Sequence, residues 1–358
     1  MVDDNQPRHD ALAMNTQVPL QHAGPKPAWV AKRVLVQVPA TCANLGPGFD
    51  CLALALTLYN AFDVTLDLRP DAYSRAPEIQ FIGRSEDVAL LASESDNLFF
   101  QAFQMACASQ HVKAPPLQLT MHVNLPPGRG LGSSATAVLG GVLAANALLG
   151  EPLAQSEVLE LALRCEPGRH ADNVSAALTG GVVVTGVRDT SGHLITERIA
   201  LARPLRVVLF IPAMPMSTAR GRSLLPPAYT REDVTFNLGR VALLVAALQS
   251  GRLEVLGAAM EDRIHQPYRQ QLFPALPDLI AAARGAGALG AALSGGGSSV
   301  IALVAEGQDG VAEALSATAV RLGIDGTCVV TDIARDGASA QIIEQLNVAG
   351  AEEEPAGE

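Results

Sequence analysis

Aromatic side chains are scarce in this chain: Phe, Tyr and Trp make up 4% of its 358 residues. Packing therefore falls to Ala, Leu, Val and Gly, which favours closely approaching elements over aromatic plugs. Charged residues are also few, 17% against 49% hydrophobic, so the composition supports a real core and excludes disorder for most of the chain. Positive charge is in deficit. A formal net charge of −11 leaves too few cations to neutralise a phosphodiester backbone, which excludes non-specific nucleic-acid binding. It does not exclude a small anion, because a nest of backbone N–H groups holds phosphate whatever the global charge. No apolar run reaches the roughly 18 residues needed to cross a bilayer, so no membrane partner is expected. The five cysteines, Cys42, Cys51, Cys107, Cys165 and Cys328, form no C-x-x-C pair. That argues against a zinc site or disulfide framework and for a reducing cytoplasm, each thiol packing as a small hydrophobe. No internal repeat is evident. Residues 1–31 lack the apolar stretch of a secretory signal and read as a flexible extension; residues 348–358 read as a solvated acidic tail.

The length suggests two domains, divided near Pro204 into residues 32–204 and 205–347. "RVLVQV" (33–38) reads as a strand and "PATCANLGPGFD" (39–50) as a Gly/Pro-rich loop. Residues 62–68 read as a further strand, and 97–110 have helical spacing. In residues 117–124 Leu117, Leu119, Met121 and Val123 alternate with polar residues, the pattern of a half-buried strand. Helices follow over "SSATAVLGGVLAANALLG" and about 155–165, then a short one in "HADNVSAALTGG", then a strand at 181–187. Residues 190–204 read as polar turns. In the second half, strands are expected at "LRVVLFIP", on both sides of "SGGGSS", and at "GTCVVTDIA". Helices are expected near 235–250, 253–265, 275–287 and 309–322. Strands and helices mix without regular alternation, which favours α+β over a doubly wound sheet.

Three glycine-rich segments could carry chemistry. "PPGRGLGSSA" (126–135) lies between a strand and a helix N-terminus. Unpartnered N–H groups and the helix dipole make such a place an anion cradle, and Ser133 or Ser134 could cap the helix. A tight turn with an N-cap is the alternative. No lysine follows the glycines, so this is not a Walker A loop, and the glycine order is not that of a dinucleotide fold. "SGGGSS" (294–299) is either a hairpin turn or a close backbone approach. Asn44 and Asp50 in "PATCANLGPGFD" are either binding groups or turn-forming residues.

In this order and separation the three segments resemble the motifs of the GHMP small-molecule kinases. Within that superfamily "HADNVSAALTGG", "STARGRSLLP" (217–226) and "QPYRQQLFP" (266–274) are similar to segments of its homoserine kinase branch. The resemblance implies a two-lobed fold, with a ribosomal-protein-like N-terminal lobe and a ferredoxin-like C-terminal lobe. It implies ATP and Mg²⁺ as cofactors, L-homoserine as the small-molecule substrate, and permits a homodimer. Pro127, Gly128, Arg129, Gly130, Leu131, Gly132, Ser133, Ser134 and Ala135 would wrap the ATP phosphates. Ser134 and Glu166 would hold the metal. Asn44, Asp50, His170, Asn173, Thr218, Arg222, Arg269 and Gly296 would form the substrate pocket. The two arginines would take the carboxylate, and Asp50, counted with Ser134 and Glu166 as catalytic, would orient the acceptor hydroxyl. Arg220 stands where relatives often carry an acidic residue. Other readings are a kinase of an isoprenoid precursor or sugar, or a non-catalytic protein on the same fold.

Overall fold

The computed structural model describes residues 29–67, 69, 76–92, 97–307 and 310–346. The acidic tail, and the extension apart from residues 29–31, lie outside them.

Strands β1 (Ala31–Asn44) and β2 (Gly48–Leu66) form a long antiparallel hairpin. The segment 39–50, expected to be a loop, is mostly strand: Thr41, Cys42 and Ala43 pair with Ala55, Leu54 and Ala53. Burial of Ala40 to Ala43 obliges their backbone groups to find partners, and pairing across the hairpin supplies them despite the glycines and prolines. Only 45–47 turns. Asn44, Leu45 and Asp50 carry positive φ of 73°, 48° and 59°, conformations uncommon for residues with a side chain.

The first lobe continues with β3 (Glu78–Gly83), α1 (Ser85–Ala92), α2 (Leu98–Ser109), β4 (Leu117–Val123) and α3 (Ser133–Leu148). Then come α4 (Gln155–Cys165), α5 (Ala171–Thr179), β5 (Val182–Arg188) and β6 (Leu194–Ile199). The described sheet runs β11 (Ser339–Gln345)–β1–β2–β4–β3, with β5 joining β2 and β6 joining β5; only β3 and β4 are parallel. Its alternate residues Val34, Val36, Val38, Phe62, Val64, Leu119 and Met121 share one core with α2 to α5. Small residues set the helix spacing. A Cβ on Gly141 would lie 2.2 Å from the Phe99 carbonyl oxygen, and one on Gly140 would lie 2.8 Å from the Phe62 ring. The mid-helix glycines thus admit close contact, which compensates their low helix propensity.

The second lobe comprises β7 (Arg206–Pro212), α6 (Thr218–Ser223), α7 (Arg231–Ser250), α8 (Leu256–Ala259), α9 (Gln266–Arg269) and α10 (Leu276–Gly285). It continues through β8 (Gly290–Leu293), β9 (Val300–Val304), α11 (Gly310–Arg321) and β10 (Gly326–Asp332). The sheet order β10–β7–β9–β8 is that of a βαββαβ, ferredoxin-like unit. The chain ends its described part in β11 (Ser339–Gln345), which pairs with β1. The span 205–347 is therefore not one spatial unit, because its last strand returns to the first sheet. Two further expectations need correction. Residues 194–199 form strand β6 rather than turns, since pairing with β5 outweighs their polarity. The expected helix 253–265 is shortened to the single turn of α8, and the chain after it turns as Asp262 accepts the N–H groups of Ile264, His265 and Gln266, a local alternative to continuing the helix.

The lobes share a core. Cys42, Leu45, Leu54 and Leu56 from the hairpin pack with Leu209, Leu244, Met260 and Ile301 from the second lobe. Trp29 packs on the edge of the first core.

Candidate active site

One cleft at the seam of the lobes collects most of the residues singled out above. It is lined by Asn44, Asp50, Gly128, Gly130, Ser133, Ser134, Glu166, His170, Asn173, Thr218, Arg222, Arg269 and Gly296, with Pro127, Leu131 and Gly132. Arg129 and Ala135 are not among its lining residues.

The loop 128–132 is built by alternation. Gly128, Gly130 and Gly132 all have φ near +70° (73°, 72° and 70°), open to glycine at little steric cost. The residues between them are anchors. Leu131 is buried in the shared core. Arg129 turns away from the cleft, donates to the carbonyls of Pro127 and Ala213, and faces Asp87 at 3.6 Å. The Arg129 side chain is thus a strut beneath the loop and does not face the cleft, its burial being matched by these partners. The loop's carbonyls are engaged from outside: Gly128 by Met216 N–H, Gly130 by the Ser294 hydroxyl, Arg129 by Ser299 N–H and Leu131 by Thr41 N–H. Among the described residues no acceptor takes the N–H groups of 130–134. The N-cap of α3 is Gly132, without a side-chain cap, so Ser133 and Ser134 do not cap the helix. They occupy its first turn, where the backbone runs αL into helix and leaves its donors open to an anion.

Ser134 donates its hydroxyl to Glu166 Oε1 at 2.6 Å. The other carboxylate oxygen, Oε2, is buried without a partner, and burial pushes the group up to about 7, opposed by the Ser134 bond and assisted by Asp172. A hydroxyl and one carboxylate with an unused oxygen suit Mg²⁺, which takes one or two carboxylates and completes its shell with phosphate and water. Among the described residues no cluster of three His, Cys, Asp or Glu forms a full cage.

At the substrate end Arg222 grips Asp50 with both terminal nitrogens, Nη1 to Oδ2 at 3.0 Å and Nη2 to Oδ1. His170 Nδ1 lies 3.6 Å from Asp50 Oδ2. Burial, with Arg222 and Arg269, lowers His170 against the pull of Asp50, leaving it neutral at pH 7. Arg269 is 1% exposed; burial and the repulsion of Arg222 lower it to about 10, still charged. Asn44 lines the cleft and is also anchored: its Nδ2 donates one N–H to the Gly295 carbonyl and its Oδ1 accepts Asp50 N–H. It thereby places Asp50. The "SGGGSS" segment is both a hairpin, β8 to β9, and a close approach. A Cβ on Gly130 would lie 2.1 Å from the Ser294 carbonyl oxygen. Arg220 is exposed on α6 and outside the cleft.

Several site residues had no signal in the sequence. Phe62, Phe81, Leu91, Leu98 and Met121 add an apolar wall to the cleft, with His122, Asn60 and Asn97 beside it; such a wall suits a purine ring. The wall residues come from five elements, β2, β3, α1, α2 and β4, so no local motif announces them. His265, fully buried, faces the Gly46 carbonyl with Nε2 at 2.8 Å and Arg269 Nη1 with Nδ1 at 3.0 Å. Burial lowers it to about 4, so the neutral ring donates from Nε2, accepts at Nδ1 and fixes Arg269.

The buried acids have a measurable consequence. Glu166 is raised from 4.5 to about 7 and Asp172 from 3.8 to about 6, in both cases chiefly by burial. In each acid the folded chain keeps a proton that the unfolded chain has already released, so each contributes stability that is full below its unfolded value and is lost as pH rises through about 4 to 7. Buried His265, lowered to about 4, contributes with the opposite sign over part of that window, so the difference between wild type and Glu166→Gln isolates the acid. The thermal midpoint of the ligand-free wild type relative to that of Glu166→Gln should fall as pH rises through about 4 to 7. A relative midpoint that is flat or rises with pH contradicts the assignment.

Two family descriptions match the chain: "GHMP kinases N terminal domain" over residues 97–181 and "GHMP kinases C terminal" over 244–321. The homoserine kinase of Moorella thermoacetica is 40% identical over 309 residues, 86% of this chain and 99% of that one. That of Thermosynechococcus vestitus is 42% identical over 75% of this chain and 85% of its own. The crystal structure of homoserine kinase from Cytophaga hutchinsonii superposes with a TM-score of 0.76 at 26% identity, covering 87% of this chain and 98% of that one. The crystal structure of L. major mevalonate kinase in complex with R-mevalonate shares the fold at TM-score 0.59 and 20% identity, covering 84% of this chain and 94% of that one. With a donor loop, a hydroxyl–carboxylate pair and two guanidinium groups in one cleft, and with these relatives along most of its length, the chain belongs to the homoserine kinase family of the GHMP kinases.

Proposed function

We propose that the protein transfers the γ-phosphoryl group of ATP to the side-chain hydroxyl of L-homoserine, giving O-phospho-L-homoserine and ADP, a step toward threonine. The observation that carries this reading is the juxtaposition, in one cleft, of loop N–H groups that no described acceptor takes with the Arg222–Asp50 pair and Arg269. A guanidinium fork already shaped around a carboxylate fits an amino-acid carboxylate. An isoprenoid acid would also carry a carboxylate, but it would leave the second acidic partner, Asp50, without an ammonium to bind.

Phosphoryl transfer needs alignment and charge neutralisation more than covalent chemistry. The N–H groups of 130–134 hold phosphate oxygens. Asp50 and neutral His170 orient the acceptor, and the hydroxyl oxygen bonds to phosphorus as the bond to ADP breaks. The hydroxyl proton passes to a phosphoryl oxygen, since Asp50 is committed to both terminal nitrogens of Arg222 and His170 Nδ1 faces Asp50. Ser134 and Glu166 would hold Mg²⁺, which when bound neutralises phosphate charge. The apolar wall takes the adenine. The five thiols are unpaired, in keeping with a reducing cytoplasm, and no described helix is long and apolar enough to cross a membrane.

ADP release measured with L-homoserine, L-serine, mevalonate and galactose tests the reading. Turnover should favour L-homoserine by about 100-fold or more, the discrimination a site earns when a mismatch leaves its polar groups unpaired. Preference for mevalonate or galactose supports the other kinase readings, and turnover at background with every acceptor revives a non-catalytic protein.

A further inference from the structure

Thr41 touches neither solvent nor the cleft. It is fully buried in β1 and is absent from the cleft lining. Its two polar groups nevertheless face the two halves of the site. The N–H donates to the carbonyl of Leu131, within the donor loop, at 3.1 Å. The hydroxyl donates to Asn173 Oδ1, at the start of α5, at 2.6 Å. The loop lies directly over this hydroxyl: a Cβ on Gly132 would fall 2.0 Å from Thr41 Oγ1. One residue therefore fixes the distance between the loop that would hold the phosphate and the amide that lines the acceptor pocket.

The same contacts settle which way Asn173 faces. Asp172 is 2% exposed, and its Oδ1 lies 2.8 Å from Asn173 N and 3.2 Å from Asn173 Nδ2. A carboxylate oxygen accepts, so the amide nitrogen must sit on that side. The Thr41 hydroxyl donates to the amide oxygen on the other. With Oδ1 engaged by Thr41 and one N–H by Asp172, the second N–H of Nδ2 is left for the cleft. Asn173 then meets an oxygen of the acceptor or of the moving phosphoryl group as a donor.

We infer that Thr41 is a positioning residue that aligns the phosphate-donor loop with Asn173 and, with Asp172, holds the Asn173 amide so that it presents an N–H to the reacting oxygens. The inference rests on the kinase reading above, and wild-type ADP release with L-homoserine is its precondition: failure there removes the reading itself, whatever Thr41 does. Given wild-type turnover, Thr41→Val, of similar shape but with no hydroxyl, should lower kcat by about 10- to 100-fold, the cost of small misalignment at a reacting centre. The KM values for L-homoserine and ATP should stay within about threefold, as expected when an interaction made only in the transition state is lost. Thr41→Ser keeps the hydroxyl and should restore kcat to within about threefold. If the valine variant does not fold, Thr41→Cys, whose S–H is a weak donor, takes its place and should show the same loss. Wild-type kcat in the valine or cysteine variant overturns the inference. So does a loss of kcat in proportion with a lowered thermal midpoint that serine does not repair, which marks a purely structural residue.

Discussion

Gly130→Ala is expected to abolish turnover almost entirely, lowering kcat/KM by about 100-fold or more, on the scale set by misplacing a catalytic group by an ångström. The added methyl would sit 2.1 Å from the Ser294 carbonyl oxygen and 2.9 Å from Gly297 N and O. These are backbone atoms at the turn between two buried strands, so they cannot swing aside as a flexible side chain would. The residue also has φ of +72°, which costs an alanine roughly 1–2 kcal/mol by itself. Relief requires the donor loop and the 294–299 turn to part, which would break the Ser294 to Gly130 bond of 2.6 Å and move the open N–H groups. Gly192→Ala separates the two effects. That glycine has φ of +86° with nothing within 4 Å of a Cβ, so the conformational cost remains and the collision does not. Denaturant unfolding should show a loss of roughly 1–2 kcal/mol for Gly192→Ala and a clearly larger one for Gly130→Ala, with activity kept in the former. Equal losses in both would show that the close approach does not matter.

Arg222→Ala should raise KM for L-homoserine by about 30-fold or more, corresponding to roughly 2 kcal/mol or above for removing one partner of a desolvated charge pair, with a much smaller change in kcat. In the ligand-free protein Asp50 fills the Arg222 fork. Its carboxylate thereby shows that the fork accepts a planar carboxylate in two-point fashion. The guanidinium is also braced over the Phe49 ring at 5.1 Å, and Arg269 packs on the same ring at 5.4 Å. Removing Arg222 therefore strips the site of the more accessible of two cations and leaves Asp50 with neutral His170. Arg222→Lys should recover part of the affinity, since a point charge does not reproduce the fork. Steady-state kinetics with varied L-homoserine at saturating ATP decides it, and an unchanged KM in the alanine variant overturns the carboxylate role.

The glycine loop was legible because its chemistry is local. A period-two strand, glycines and a helix start follow one another in sequence, and their order alone marks a place where backbone donors are exposed. Ser134 and Glu166 were legible through the motif order, and the structure joins them at 2.6 Å. Arg129 was misplaced because sequence does not say which way a side chain turns. Its direction depends on Asp87 and on the Ala213 carbonyl, which lie in other elements. Nor does sequence show how Asn44 is anchored beside the cleft, since the Gly295 carbonyl that engages it is distant in the chain. Segment 39–50 and residues 194–199 became strands for a related reason, as pairing partners override local composition.

Composition, the glycine spacing and the period-two and helical patterns by themselves determined a folded α+β chain with a glycine-rich turn leading into α3, either a tight turn or a place where backbone donors face an anion. Those properties depend on residues near one another in sequence. Tertiary structure alone decided that β11 returns to the first sheet, that an apolar wall from five elements extends the cleft, that His265 holds Arg269, and that Thr41 joins the donor loop to Asn173. Each of those rests on a hydrogen bond or contact between groups far apart in sequence. Only burial forces such groups to find one another, because a polar group removed from water must be paired and the fold determines with what.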